Sequence, residues 1–503
     1  MSQLDQSLLI FFIVYVLAVI GISLYRTNRA QEMADHVLAG RRIGTIASGL
    51  SASSSLERGW AVFILPAMAF GSFPHYVVGL TIAATVGLWA SWRFVAPRLR
   101  RFTFAAQNAL TLPEFLERRF DDRTGVLRLL AAVLTLLFVL FYVSAGIMAG
   151  GTLFNIAFDV NVAVGGLITL LVVLAYIFIG GYIVVARTDV FQSIVTLLGI
   201  SILAVAVFVV TDNPTAGIAD SFSDPLASIS ERVNVFLFLL FMVAVSQGAF
   251  GAQRLLQRFM AAKSEAIMDT SRRISTLWIF IIFGFSVLLG LFAGNALPQV
   301  DDRLLTVSAE IEGIQLFYWL AEFIANPVLG ALALTAVIAV VMSTMDSQML
   351  IGASVAASDL PIVRRFAQRK RFEFVMGAYM RVWIGRTMLI LIGIVAWLLA
   401  QSQPNSIFAF LTYGWLGMGG TFGPVVLLSL YWRRFNLYGA MAALIAGGLL
   451  TLVSALTDLH VGIFGVLTLG VLPLAVAVTL ATKAPSAAVE AMFERGIAKT
   501  ESA

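Results

Sequence analysis

The sequence predicts an all-α polytopic membrane protein with about thirteen transmembrane helices. Three observations predict it. Of 503 residues, 60% are hydrophobic and only 12% are charged, with mean hydropathy +0.93, whereas a soluble chain carries about 25% charged residues. Apolar runs of 18 or more residues recur along the chain, each able to cross a ~30 Å hydrocarbon layer as a helix. The basic residues collect in alternate loops. A transmembrane barrel would instead show short segments of alternating polarity.

The first segment, 7–25, follows Asp5 rather than a basic stretch. It runs into "YRTNRA", not a small-residue cleavage site, so it reads as a retained helix. The second, 43–70, contains "SASSSLERGWAV". Segments 76–97 and 125–157 are separated by "TLPEFLERRFDDRTG", which reads as a charged surface helix. Then follow 161–184, 188–211, 232–256, 274–296, 327–357, 381–401, 405–431, 438–457 and 461–482. With these boundaries, 30 of the 33 Lys and Arg residues lie in the loops after odd-numbered segments, at their helix ends, or in the tail. The positive-inside rule then places the N-terminus outside and the C-terminus in the cytoplasm of a bacterial-type inner membrane. The loops at 211–228 and 298–317 are acidic and external. "RRFAQRKR" is part of the inside charge.

Composition excludes several functions. There are no cysteines, and the three histidines, His36, His75 and His460, are far apart. Thiolate chemistry and a histidine-rich metal site are therefore not expected. No nucleophile–base pair suggests an enzyme. The net charge of +5 follows from topology and needs no nucleic-acid partner.

Two segments are interrupted. "SASSS" in the second offers hydroxyls and a backbone easily drawn out of helix, and the seventh is broken by Ser246, Gln247, Gly248 and Gly251. They lie five segments apart. Thirteen segments divide as one, five, five and two, which predicts a five-plus-five inverted repeat with its site near the midplane. The units are 1–42, a first repeat at 43–211, an external loop at 212–231, a second repeat at 232–432, two helices at 433–482, and a cytoplasmic tail at 483–503.

In the ninth segment, "MSTMDSQM" places Ser343 and Thr344 side by side, followed by Asp346 and Ser347. Hydroxyl and carbonyl oxygens suit a hard monovalent cation. Carbonyls freed by a break in the second segment would complete its shell. The alternative is that both hydroxyls bond back to the preceding turn.

Glu57 and Arg58 lie near the middle of the second segment. A central charge costs about 2.5–3.5 kcal/mol on insertion scales unless paired or wetted. Neighbours in a regular helix do not face each other. Either the helix breaks there or each charge has another partner, with Asp346 a candidate for Arg58. Arg58 alternatively receives a solute carboxylate.

Several stretches resemble the sodium/solute symporter family: "ERGWAVFILPA" (57–67), "YVSAGIMAGGTLF" (142–154), "GGYIVVARTDVFQSIV" (180–195), "GAFGAQRLLQRFMAAKS" (248–264), "AVVMSTMDSQML" (339–350) and "WLGMGGTFGPVVLLSLYW" (415–432). They occur in the family's order over roughly 30–435. The resemblance is strongest to the proline-transporting members, and it implies a leucine-transporter-like core. It also implies a sodium site with backbone ligands Ser54, Glu57 and Val340 and side-chain ligands Ser343 and Thr344. Asp189 is implied as a further cation residue, with capping of the sixth segment as the alternative. The implied solute contacts are Ser55, Leu56, Arg58, Tyr142, Val245, Ala249 and Gln253. Several depart from the proline-transporting pattern. Leu56 replaces an Asp and Arg58 a Ser, while Val245, Ala249 and Gln253 replace a Trp, a Tyr and a Pro. A pocket for a solute other than proline is expected.

The expected function is sodium-coupled symport of a small organic solute, an amino acid or carboxylate, by alternating access. No cofactor is expected besides Na+ as coupling ion. The partners are solute, sodium and the bilayer, and oligomeric state is not specified. The alternatives are proton coupling through Glu57, Asp189 or Asp346, or a sensor built on a transporter fold.

Overall fold

The computed structural model describes residues 2–25, 37–70, 74–215, 218, 232–296, 313–361, 363, 377–402, 407–457 and 459–498. Among these, the elements are helical and the β pairing is one isolated bridge, Ile43 to Ala262. Among the described residues, nine helices are long and apolar enough to cross a membrane, and a bent pair makes a tenth if it is one span.

In order, α1 (Gln3–Leu24) is capped by Ser2, whose hydroxyl accepts from Asp5 N. Segment 43–70 is divided. An α-helix, α2 (Thr45–Gly59), passes into a π turn (Trp60–Ile64) and then α3 (Leu65–Phe70). A second π turn, Ser91–Val95, joins α4 (Pro74–Ala90) to α5 (Ala96–Ala105). Both turns end two residues before a proline, Pro66 and Pro97. A proline ring clashes with the carbonyl four residues earlier and offers no N–H; inserting one residue into the turn relieves the clash.

Then come α6 (Leu112–Arg119) and α7 (Val126–Phe158). Next are α8 (Val162–Phe178), shorter than a full span, and α9 (Gly181–Val210). α10 (Arg232–Gly251) and α11 (Gln253–Ala261) follow. α12 (Met268–Ala296), the short α13 (Gly313–Phe323) and α14 (Pro327–Asp359) come next. α15 is Gly377–Ser402, and α16 (Ile407–Tyr431) contains Pro424. The chain ends with α17 (Leu437–Leu456), the pair α18 (Val461–Leu469) and α19 (Val471–Ala481), and α20 (Ala487–Ile497).

α14 is the central pillar. Of its apolar window 83% is buried, against 22% for α1, and it packs on α1, α2, α7, α9 and α15. Large apolar residues such as Ile10, Leu17, Val209 and Leu456 are exposed on the outside, as a lipid-facing surface requires. A polar residue on α14 thus faces protein, where it must find a partner or do work.

The chain between α8 and α9 turns at Gly181, with φ 62° and ψ −145°. This region is almost exclusive to glycine and costs other residues about 1–3 kcal/mol. Gly181→Ala is expected to destabilise the fold by that amount, read as a lower midpoint in detergent-unfolding titration. Gly284→Ala, with open space at its Cβ, should be neutral or slightly stabilising.

Candidate functional site

The site grows from α14. The Ser343 hydroxyl donates to Val340 O at 3.0 Å and the Thr344 hydroxyl to the same oxygen at 2.9 Å. Three oxygens therefore converge on one buried face, and Ser343 and Thr344 are 1% and 6% exposed. A hydroxyl that donates to a carbonyl keeps its lone pairs, so the back-bonded arrangement still presents oxygens to a cation.

α2 packs against α14, but its serines do not break it. The helix is regular from Thr45 to Gly59, which corrects the expected break at "SASSS". The Ser53 hydroxyl donates to Gly49 O and Leu50 O, and that of Ser54 to Ser51 O. These side chains bond within their own helix and leave its backbone ladder in place. The irregularity lies one turn further on, at Trp60–Ile64, where Pro66 leaves a carbonyl without a helical donor. Ser54 and Glu57 stand in the last turns of α2. The side chains of Ser55, Leu56, Glu57 and Arg58 lie outside the described residues, as does the pairing of Arg58 with Glu57 or Asp346.

The interruption of the seventh segment is present. α10 and α11 are bent by 43° at Ala252, which has φ −63° and ψ 101°. Above the break α10 lies close on α16. A Cβ at Gly248 would overlap the Trp415 indole, whose Nε1 donates to Val245 O at 2.9 Å.

Below the break lies a second cluster. Arg258 on α11 is 1% exposed. Its Nη2 contacts Asp189 Oδ2 at 2.9 Å and Ser347 Oγ at 2.8 Å, and its Nε donates to Ser51 Oγ at 3.1 Å. Ser51 Oγ in turn donates to Asp189 Oδ2 at 2.6 Å. Ser347 Oγ donates to Asp346 Oδ1, and the Tyr176 hydroxyl to Asp346 Oδ2 at 2.8 Å. One buried guanidinium thus ties α2, α9, α11 and α14 together.

Asp189 stands in the third turn of α9, which begins at Gly181. It caps no helix start, which corrects the capping alternative. The sixth helix begins earlier because the kink between the two helices lies at Gly181 rather than around Arg187. Asp346 is held by Tyr176 and Ser347.

The expected solute residues separate into two groups. The Tyr142 ring lies 4.3 Å below the Arg254 guanidinium, and Gln253 Nε2 donates to Thr135 Oγ1 at 2.6 Å. Tyr142, Arg254 and Gln253 thus gather at the start of α11. Val245 and Ala249 have their carbonyls engaged by Trp415 and by Ser91 Oγ (2.9 Å), on the α10 side of the break.

Sequence reasoning missed Arg254 and Arg258. The charge count places them at the cytoplasmic end of the seventh segment, yet they are 3% and 1% exposed. The available signal was the break itself, because a half-helix following it remains inside the protein. It also missed Tyr176 and Gln348. Gln348 is fully buried on α14, and among the described residues neither amide atom has a hydrogen-bond partner.

A sequence profile of the sodium:solute symporter family matches residues 36–447. The chain belongs to the sodium:solute symporter family. A sodium/proline symporter of Escherichia coli (strain K12) is 32% identical over 516 residues, covering 99% of this chain and 98% of that protein. A high-affinity proline transporter of Bacillus subtilis (strain 168) is 32% identical over 444 residues, covering 86% and 89%. Among solved structures, a Na+-coupled sialic acid symporter in a substrate-bound outward-open state matches with a TM-score of 0.75 at 17% identity, over 95% of this chain and 99% of that one. A nucleobase-cation-symport-1 family transporter matches at TM-score 0.54 and 15% identity, over 94% of this chain and 100% of that one. These symporter relationships make the chain a multi-pass integral membrane transporter rather than an enzyme, and they support sodium-coupled symport of a solute.

Proposed function

We propose that this sodium:solute symporter couples inward sodium movement to uptake of a small organic solute of the amino acid or carboxylate class. The observation that carries the reading is the convergence of Val340 O, Ser343 Oγ and Thr344 Oγ1 on a buried face of α14 beside α2. Sodium binds these three oxygens and the remaining lone pairs of the Ser54 and Glu57 carbonyls, with Asp189 as an acidic group along its route. Thirteen spans, N-terminus outside and C-terminus inside, contain two inverted five-helix units at 43–211 and 232–432. The positive-inside count and the spacing of the two irregular segments support this arrangement.

Solute binds between α2, α7 and the α10–α11 break, near Ser55, Leu56, Arg58, Tyr142, Val245, Ala249 and Gln253. The dipole of α11 and the Arg254 guanidinium favour negative charge at its first turn, which supports a carboxylate on the solute. The side chains at Val245, Ala249 and Gln253 differ from those of the proline-transporting pattern, so proline is not the preferred solute. Each sodium entering an inside-negative cell gains about 2.3 kcal/mol per 100 mV, enough to drive accumulation.

A competition panel tests the solute class. Sodium-driven uptake in proteoliposomes should be inhibited by small carboxylates and amino acids, with proline at least about tenfold weaker than the best competitor, a difference of roughly 1.4 kcal/mol. Inhibition by uncharged solutes alone would overturn the carboxylate assignment.

A further inference from the structure

The C-terminal helix α20 is amphipathic and docked. Ser486 caps it, and Val489, Met492, Phe493 and Gly496 are buried. Phe493 meets Phe102 of α5 edge-on, with ring centroids 5.5 Å apart, and Gly496 lies against the same ring. At the rim, Arg433 pairs with Glu490 at 2.9 Å and Glu494 at 3.3 Å.

The same helix covers Arg119, the last residue of α6. This guanidinium is fully buried and lies 5.2 Å from the rings of both Phe120 and Phe493. Its Nε donates to Ser429 O at 3.0 Å. Among the described residues its Nη1 and Nη2 have no hydrogen-bond partner. Docking therefore gains aromatic packing and cation–π contact but strips water from two donors of a cation. Burial pushes the Arg119 guanidinium down to about 10. Opposed contributions of this kind make a contact that can open.

The other side of α6 reaches the central pillar. Glu117 pairs with Arg128 at the start of α7. Arg128 Nε contacts Asp359 Oδ1, at the end of α14, at 2.6 Å, and Thr111 Oγ1 donates to that carboxylate at 3.1 Å. Thr111 and Leu112 also wall a narrow cavity of about 20 Å³, which runs to Gln253, Gln257 and Ser354. Widening that cavity by moving α6 away from α14 strains the Asp359 contacts on one side and the Arg119–Phe493 contact on the other.

We propose that α20 is a latch: by closing over Arg119 it holds α6 against α14 and restrains opening of the Gln253 cavity toward the cytoplasm. The location of that opening rests on the topology proposed above; the latch itself does not. Undocking α20 frees α6 and raises access to the cavity.

The chain has no cysteine, so Ser354→Cys supplies a single reporter in the full-length protein. Maleimide labelling rates are compared in inside-out and right-side-out vesicles. Trypsin cleavage at Arg495 reports undocking. Phe493→Ala is expected to raise cleavage and to speed labelling at least threefold from the α20 side, and Phe493→Trp to restore both. Glu490→Lys with Glu494→Lys, which alters only rim residues, should act in the same direction about twofold. Faster cleavage with unchanged labelling overturns the latch, and so does unchanged cleavage in both variants. If Phe493→Ala fails to insert, the rim variant decides between these outcomes. Labelling from the opposite side would reject the proposed topology while leaving the latch in place. Labelling needs neither solute nor sodium, so failure of the transport reading is separately visible.

Discussion

Replacing Ser343 and Thr344 together with alanine is expected to raise the half-saturating sodium concentration for uptake by roughly a hundredfold or more. A polar contact to a charged group contributes about 1.5–3 kcal/mol, two are removed, and each 1.4 kcal/mol is a factor of ten. The fold should tolerate the change, because both hydroxyls bond within their own helix, to Val340 O. Among the described residues, their loss strands no partner on another element. Thr335 is the control. It is also buried on α14 and also bonds back one turn, to Ala331 O at 2.7 Å, but lies two turns before Ser343. Thr335→Val should leave the sodium dependence unchanged. Initial rates against sodium concentration at fixed solute check both variants. A double variant with native sodium dependence would remove these hydroxyls from the site.

The second large effect is expected at Arg258. Arg258→Ala leaves the Asp189 carboxylate buried beside Ser51 without its guanidinium, and it also removes the link to Ser347. Breaking one side of a buried ion pair costs about 3–5 kcal/mol, whereas removing both charges together is often close to neutral. Arg258→Ala should therefore insert and accumulate poorly and show no sodium-driven uptake. Arg258→Met combined with Asp189→Leu should recover most of the stability but not transport, because it discards the charge pair at the centre of a network that joins four helices. Detergent-unfolding midpoints measured with uptake separate the two effects. Full transport by the doubly neutral variant would mean that the pair serves stability alone.

The sequence made some of this legible and hid the rest for physical reasons. Ser343 and Thr344 stood out because adjacent hydroxyls are conspicuous in an apolar helix, and the interruption around Gly248–Gly251 is visible because glycine is a poor helix residue. The serines of α2 misled for the converse reason. A serine signals competition with the backbone but not its outcome, and here helix and hydroxyls are satisfied together. Pro66 and Pro97 are plain in the sequence, yet proline alone does not distinguish a kink, an end or a π turn. Arg254 and Arg258 were hidden by a rule that assigns charges to loops, whereas a half-helix after a break carries its charges into the protein. Their partners, Tyr142 and Asp189, lie over 60 residues away along the chain, and only the folded arrangement brings them together. The tail helix likewise gave no sign that Phe493 would meet Arg119.

Sodium coupling is the central claim, and uptake into proteoliposomes under separately imposed gradients tests it most directly. With a solute from the competition panel, an inward sodium gradient at equal pH on both sides is predicted to drive accumulation. An inward proton gradient without sodium is predicted to drive none, and Ser343→Ala with Thr344→Ala should abolish the sodium response at concentrations that saturate the parent. Accumulation driven by the proton gradient in the absence of sodium would contradict the account.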